Sequence, residues 1–258
     1  MIGSSARALA FTGETVLPAT LDAPAISELA DAHPNEIRVE PAHELRSDTV
    51  ASPSGNQSDP HFLTHHALRI KGFAKVETLA EITALPAESV ESHLSDLAGR
   101  EWAMFREARA LWQLTPSGKS AHPERLAADI AAVDLSALAA HYHGFLELNS
   151  AFKVLCGDWQ LRDGAVNDHS DSAYDRKVID RLVELDAAAQ PIVAAVGGVI
   201  GRFAPYAGRL ASTCGRVRTG ETNLFTGVMC GSYHDVWMEL HEDLILTQGI
   251  DRSAEGSF

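Results

Sequence analysis

The sequence predicts a mainly α-helical protein: a small N-terminal α/β arm, a helical module closed by a β-ribbon, and a C-terminal helical bundle. Three observations lead there. Apolar residues recur at three- and four-residue spacing through most of the chain after residue 62. Two short strand-like runs interrupt that pattern between residues 101 and 114. Ahead of both, residues 44–60 (ELRSDTVASPSGNQSDP) are rich in Ser, Asp, Pro and Gly, the composition of a linker or surface-bound arm. The expected parts are 1–60, 61–122 and 123–258.

Composition narrows the function classes. Of 258 residues, 45% are hydrophobic and 22% charged, which excludes wholesale disorder, collagen-like or coiled-coil repeats and a disulfide-stapled miniprotein. The length suffices for an adequate core. With 21 Lys and Arg against 35 Asp and Glu the formal net charge is −14, which argues against a broad nucleic-acid surface. One small basic face is still compatible with it. Cys156, Cys214 and Cys230 are far apart and odd in number, as expected of free thiols in a reducing compartment. The start, MIGSSARALAFTGETVLPA, is too short and polar in its apolar run for an export signal or a spanning helix. A cytoplasmic location without a membrane partner is expected.

In order along the chain, residues 1–43 hold strand-like pieces at Ala8–Phe11, Thr15–Leu17 and Glu36–Val39 around one helical candidate, Ala25–Ala32. Residues 62–73 form a first helix ending at Gly72, and Lys75–Thr83 a short second one. Pro86 suits the start of a third, Ala87 to about Ala98, where Val90, Leu94 and Leu97 make one apolar stripe. Glu101–Arg106 and Ala110–Leu114 then read as two strands, closed by Thr115-Pro116-Ser117-Gly118. Helix, helix, turn, helix, ribbon is the order of a winged helix-turn-helix.

The run LRIKGFAKVETLAEITALPAESVESHLSDL, followed by WQLTPSGK, resembles the winged helix-turn-helix module of MarR-like bacterial transcriptional regulators. It covers about a quarter of the chain. The resemblance implies DNA binding by the third helix and the wing, as a homodimer engaging two half-sites. The residues offered for contact are Ser89, Ser92, His93, Arg106, Arg109 and Lys119. Against this stand Glu88, Glu91 and Asp96 on the same helix, which has no Lys or Arg. Over residues 62–125 eight basic and eight acidic side chains cancel, whereas a dedicated DNA binder shows a basic face. A protein-contact winged helix is the competing expectation.

Beyond residue 122 the chain reads as helical. Leu138, Tyr142, Phe145, Leu148, Phe152, Leu155 and Trp159 predict one long helix through Gln160. A polar loop at Arg162–Gly164 precedes a second helix from about Asn167-Asp168, which Pro191 ends or restarts. Ile192–Phe203, Tyr206–Val217 and Ser232–Thr247 follow, the last with a capping-box-like start and a stop at Gly249. The arrangement is similar to the ligand-sensing helical domains of GntR-type regulators, with no motif to carry over their metal or effector residues.

Ser232–Thr247 is apolar around much of its circumference and so belongs at the centre of the bundle. There Tyr142, Trp159, His234, Trp237 and His241 are candidates for a small-molecule effector pocket, with structural core as the plainer alternative. Twelve histidines invite a metal reading, but spacing opposes it. His234 and His241 are seven residues apart, about 10.5 Å of helical rise, and His141 and His143 diverge. Asp168, Asp171 and Asp175 read best as a cap and an acidic first turn. No nucleophile motif, P-loop or GxGxxG is present, so neither catalytic residues, nor a metal, nor a cofactor are assigned.

A second resemblance supplies the rival function. The segment GETVLPA, placed before a helical module, resembles the tail of the swivelling domain of phosphoenolpyruvate-utilising phosphotransferases. Those enzymes need a phosphorylatable histidine in a Thr/Ser-rich loop, which this sequence does not place. The resemblance therefore implies a non-DNA-binding accessory or regulatory subunit of such a metabolic enzyme. The leading expectation is a transcriptional regulator that senses a small molecule or dimerises through its bundle. An enzyme comes third and would depend on chemistry at His169, His234 and His241.

Overall fold

The computed structural model describes residues 56–251, all of which lie within one compact unit. The expected N-terminal strands and helix fall outside the described residues. Two hydrophobic cores share the unit, and the chain is mostly helical around both.

The smaller core is built first. Helix α1 (Pro60–Lys71) is capped by Asp59, whose carboxylate accepts the Phe62 N–H at 2.8 Å, and ends at Gly72 with φ 78°. Strand β1 (Phe73–Ala74) leads into α2 (Val76–Thr83), which stops at the left-handed Ala84. Helix α3 (Ala87–Gly99) buries Val90, Leu94 and Leu97, the stripe expected from spacing. Strands β2 (Ala103–Arg106) and β3 (Leu111–Leu114) flank a 3-10 turn at Glu107–Arg109. The antiparallel sheet runs β1-β3-β2, with Phe73 opposite Gln113 and Ala103 opposite Leu114. Each strand starts later than spacing suggested because Glu101 (φ 59°) and Ala110 (φ 51°) turn left-handed just before it. Leu68, Leu79, Val90, Leu94 and Leu97 are fully buried between these helices and the sheet.

Where a closing turn was expected, the chain forms a further helix, α4 (Pro116–Asp129), running through the anticipated boundary at 122. Thr115 accepts from the Gly118 N–H at 3.1 Å and donates to the Glu101 carbonyl at 2.6 Å. Pro123 sits inside the helix. It and Lys119, whose carbonyl it leaves without a helix partner, are both exposed, so water can satisfy that carbonyl.

The larger core belongs to the bundle. Helix α5 (Leu135–Gln160) buries Leu138, Tyr142, Phe145, Phe152, Leu155 and Trp159, while Leu148 is half-buried and Asn149 takes its place inside. The reason is a hydrogen bond: Trp237 Nε1 donates to Asn149 Oδ1 at 3.0 Å. The expected polar loop is a tight hairpin of β4 (Leu161–Arg162) and β5 (Ala165–Val166), its two turn residues Asp163 and Gly164 both at positive φ. Helix α6 (Ser172–Val199) begins later than expected, capped by Asp171, so Asp168 lies outside it. It also runs unbroken through Pro191. Pro191 and Ala187, the carbonyl it deprives, are exposed, and the lost bond falls on the wet face. The anticipated Ile192–Phe203 helix is therefore the end of α6 plus a 3-10 turn at Gly201–Phe203.

Helices α7 (Ala204–Arg218) and α8 (Tyr233–Gln248) complete the bundle, α8 starting at the Ser232 cap and stopping at Gly249 as expected. A Cβ on Gly197 would sit 3.0 Å from the Ala204 backbone, so this glycine permits the close α6–α7 approach. Asn56 stitches the start of the described chain to the bundle, accepting from the Gly201 N–H at 2.8 Å and donating to the Asp129 carbonyl. By length and composition α6 alone among the described helices could cross a membrane. Val178, Leu182, Ala189, Val193 and Val196 of α6 are buried in the core.

A Cβ at Gly118 would collide with the Trp102 backbone carbonyl, which a flexible side chain cannot relieve. Gly118→Ala is expected to lower stability by about 1–3 kcal/mol, seen as a reduced urea midpoint with an unchanged m-value.

Candidate functional site

The first candidate surface is the outer face of α3 and the β2–β3 hairpin. Ser92 is exposed there with Glu88, Glu91 and Asp96, and Ser89 is half-buried. His93 turns inward, its Nδ1 2.9 Å from Thr64 Oγ1 and its ring edge-on to His61. Arg106 and Arg109 are exposed on the hairpin, with the Arg109 guanidinium 6.0 Å over the Phe73 ring. Together with Gln113 these residues line a hollow of about 360 Å³. Lys119, offered for DNA contact from the segment after the wing, is exposed in the first turn of α4.

The second candidate is buried and joins the two cores. Arg202, in the 3-10 turn before α7, donates to Asp129 of α4, to Thr247 of α8, and through Nε to Asp243 of α8 at 3.3 Å. Asp243 also accepts from His66 Nε2 of α1 at 2.9 Å and from Thr247 Oγ1 at 3.0 Å. His66 Nδ1 lies 2.8 Å from His122 Nε2 of α4, and the two rings stack. The side chains of His66, Asp129, Arg202 and Asp243 are all 5% exposed or less, so the ion pairs of Arg202 with Asp129 and Asp243 are buried. Burial alone would raise the Asp243 carboxyl, but His66, Arg202 and the hydroxyl of Thr247 outweigh it and hold it at about 2.

Neighbouring groups extend this junction. Glu239 of α8 accepts from Lys71 of α1 and Arg209 of α7, both at 2.6 Å. Arg125 Nη1 is 3.1 Å from His65 Nδ1, and a guanidinium only donates, so the His65 proton is on Nε2. That Nε2 donates to the Gly118 carbonyl at 2.9 Å. Burial first, then Arg125 and the adjacent histidines, lower His65 to about 4. Burial first, then His66 and His65, lower His122 to about 3.

The five expected effector residues do not meet in one pocket. Tyr142, Trp237 and His241 share one patch of core, with Tyr142 Oη 3.4 Å from His241 Nε2 and Phe145 stacked on Trp237. Trp159 packs against Phe225 and His169, about 25 Å from Tyr142 along the α5 axis. His234 is half-buried and lines a cleft of about 410 Å³ with Lys71, Phe73 and Met238. Helical rise separates these side chains, so no single small molecule touches all five. Among the described residues no three His, Cys, Asp or Glu side chains are placed to hold a metal ion. His169 pairs with Asp175 at 3.1 Å on an exposed corner.

The junction was missed because its members lie up to 177 residues apart in sequence. Two local signals existed: paired His65-His66 inside the first helix, and Asp243 with Thr247 one turn apart on a helix apolar around much of its circumference. No protein-family model, curated protein or solved structure matches the chain.

Two expectations follow from the junction. Arg202→Met removes the cation between Asp129 and Asp243, and should cost about 3–5 kcal/mol in chemical unfolding. Acid should destabilise the protein in two windows. Below 6.5 the unfolded chain protonates His65 and His122 while the folded chain resists until about 4 and 3, so stability falls there. The slope is about 1.4 kcal/mol per pH unit per histidine. A further loss follows between 3.8 and about 2 as Asp243 is protonated. Urea midpoints measured from pH 7.5 downward check this, and a flat profile between 6.5 and 4 would refute it.

Proposed function

We propose that residues 60–114 act as a winged helix-turn-helix that binds DNA, in a regulator whose bundle senses a small molecule or mediates dimerisation. The observation that carries this reading is topological. Three helices are followed by a hairpin whose second strand pairs with β1, leaving the outer face of α3 and the hairpin open to solvent side by side. Arg106 and Arg109 supply phosphate contacts from the hairpin, and Ser92 is the neutral donor on α3 best placed for a base edge. His93 is engaged with Thr64 and serves to seat α3 on α1.

A second reading has its own support. The open face of α3 presents Glu88, Glu91 and Asp96 and no basic side chain, which suits a basic protein surface better than phosphates. On that reading the chain is an accessory subunit of a metabolic enzyme, docking through the same helix.

Binding of the purified protein to DNA from its own upstream region, measured across a salt series, separates the two. Specific binding that weakens steeply with salt supports the regulator, and no binding at low salt supports protein docking. Where binding occurs, replacing Arg106 and Arg109 together with Ala should lower affinity and reduce the log–log salt slope by about 2. An unchanged slope would remove the hairpin from the interface.

A further inference from the structure

We infer that the groove between the first turns of α5 and the end of α8 is a binding site for an uncharged aromatic or compact apolar molecule carrying one hydrogen-bonding group. The cavity holds about 650 Å³, within the range of small-molecule sites. Its walls are Leu135, Ala139 and Leu146 on one face of α5 and Ile250 beyond α8. Leu135, Leu146 and Ile250 pack on the bundle core with one side and remain half-buried, so their other side borders the groove. An apolar guest completes that burial.

Of the polar residues in the lining, Ser136, Tyr142, His143, Gln248 and Asp251, the buried one is Tyr142. Its side chain lines the groove and is 95% buried, yet its hydroxyl meets His241 Nε2 only at 3.4 Å. A buried phenol ordinarily finds a partner near 2.8 Å. A hydroxyl, amine or carbonyl on the guest satisfies it better. The lining contains no Lys or Arg; its ionisable side chains are one carboxylate, Asp251, and one imidazole, His143, so no permanent cation is present to receive an anion. The guest is therefore neutral.

The position gives the site a consequence. Gln248 lines the groove, and the preceding residue, Thr247, holds Arg202 and Asp243 in the buried junction. A guest here presses on the last turn of the helix that grips α1. This deepens the reading of the bundle as a sensor and rests on it. Its test measures ligand binding without DNA, so either can fail alone.

The probe is 1-aminoanthracene, a neutral aromatic amine whose fluorescence rises in apolar sites. One saturable site per chain is expected, weakened at least tenfold in Ala139→Phe and in Leu146→Phe, which narrow the groove from two positions. Tyr142→Phe should weaken it several-fold without changing stoichiometry, and Val154→Phe, on the exposed far part of α5, should leave it unchanged. Circular dichroism and melting identify any variant that fails to fold, and the second groove variant then decides. No saturable signal, or undiminished binding in a folded groove variant, overturns the site. Equal affinity for the anionic 1-anilinonaphthalene-8-sulfonate overturns its charge class. Probe release on self-association, reversed by the groove variants, would mean that a second copy of the chain is the occupant.

Discussion

The arginine at position 202 holds the molecule together across its two cores. Its guanidinium reaches α4 through Asp129 and α8 through Asp243 and Thr247, and Asp243 in turn reaches α1 through His66. Removing such groups from water costs several kcal/mol per ion, recovered only when donors and acceptors are matched in direction. That requirement makes the contact specific: an apolar junction tolerates sliding, whereas this one closes in a single register. Leu68 of α1 packs in the core that also buries Leu94 of α3. The pose of the exposed α3 face relative to the bundle is thus tied to side chains far from it.

The polar junction also explains why α8 is not a wholly apolar central helix. Tyr233, Trp237, Leu240 and Leu244 fill the larger core, while Glu239 and Asp243 point along a second line toward α1 and α7. Glu239 is met by Lys71 and Arg209 from two different elements, and Asp243 by His66, Arg202, Tyr206 and Thr247. Deleting one group strands its partners in a dry site, so the elements α1, α4, α7 and α8 depend on one another more than their apolar contacts require.

Much of the fold was legible because it is governed by local rules. The stripe of α3, the periodicity of α5, the Ser232 cap and the Gly249 stop are set within a few residues, and spacing found them. Pro191 misled because proline opposes a helix only where its lost bond is buried, and exposure is a property of the tertiary structure. Asn149 displaced Leu148 from the core for a similar reason: its partner, Trp237, is 88 residues away. The candidate sites divide the same way. The exposed residues of α3 and the hairpin follow from amphipathic phase, whereas the buried junction is assembled from α1, α4, α7, α8 and the 3-10 turn before α7, whose meeting no local pattern encodes.

The acidic face of α3 constrains how any DNA complex is built. A carboxylate within a Debye length of about 8 Å of the phosphates is repelled, and Glu88, Glu91 and Asp96 would all be that close on a docked helix. The repulsion is avoided only where carboxylates face base edges, accepting from the amino group of cytosine. Glu88 and Glu91 lie in the first half of α3, the half that meets bases when such helices enter the major groove. The hairpin arginines must then supply the backbone contacts that α3 lacks. Such a complex would depend on its wing for affinity and on its helix for choice, and a preference for cytosine at the contacted positions would separate it from a nonspecific electrostatic contact.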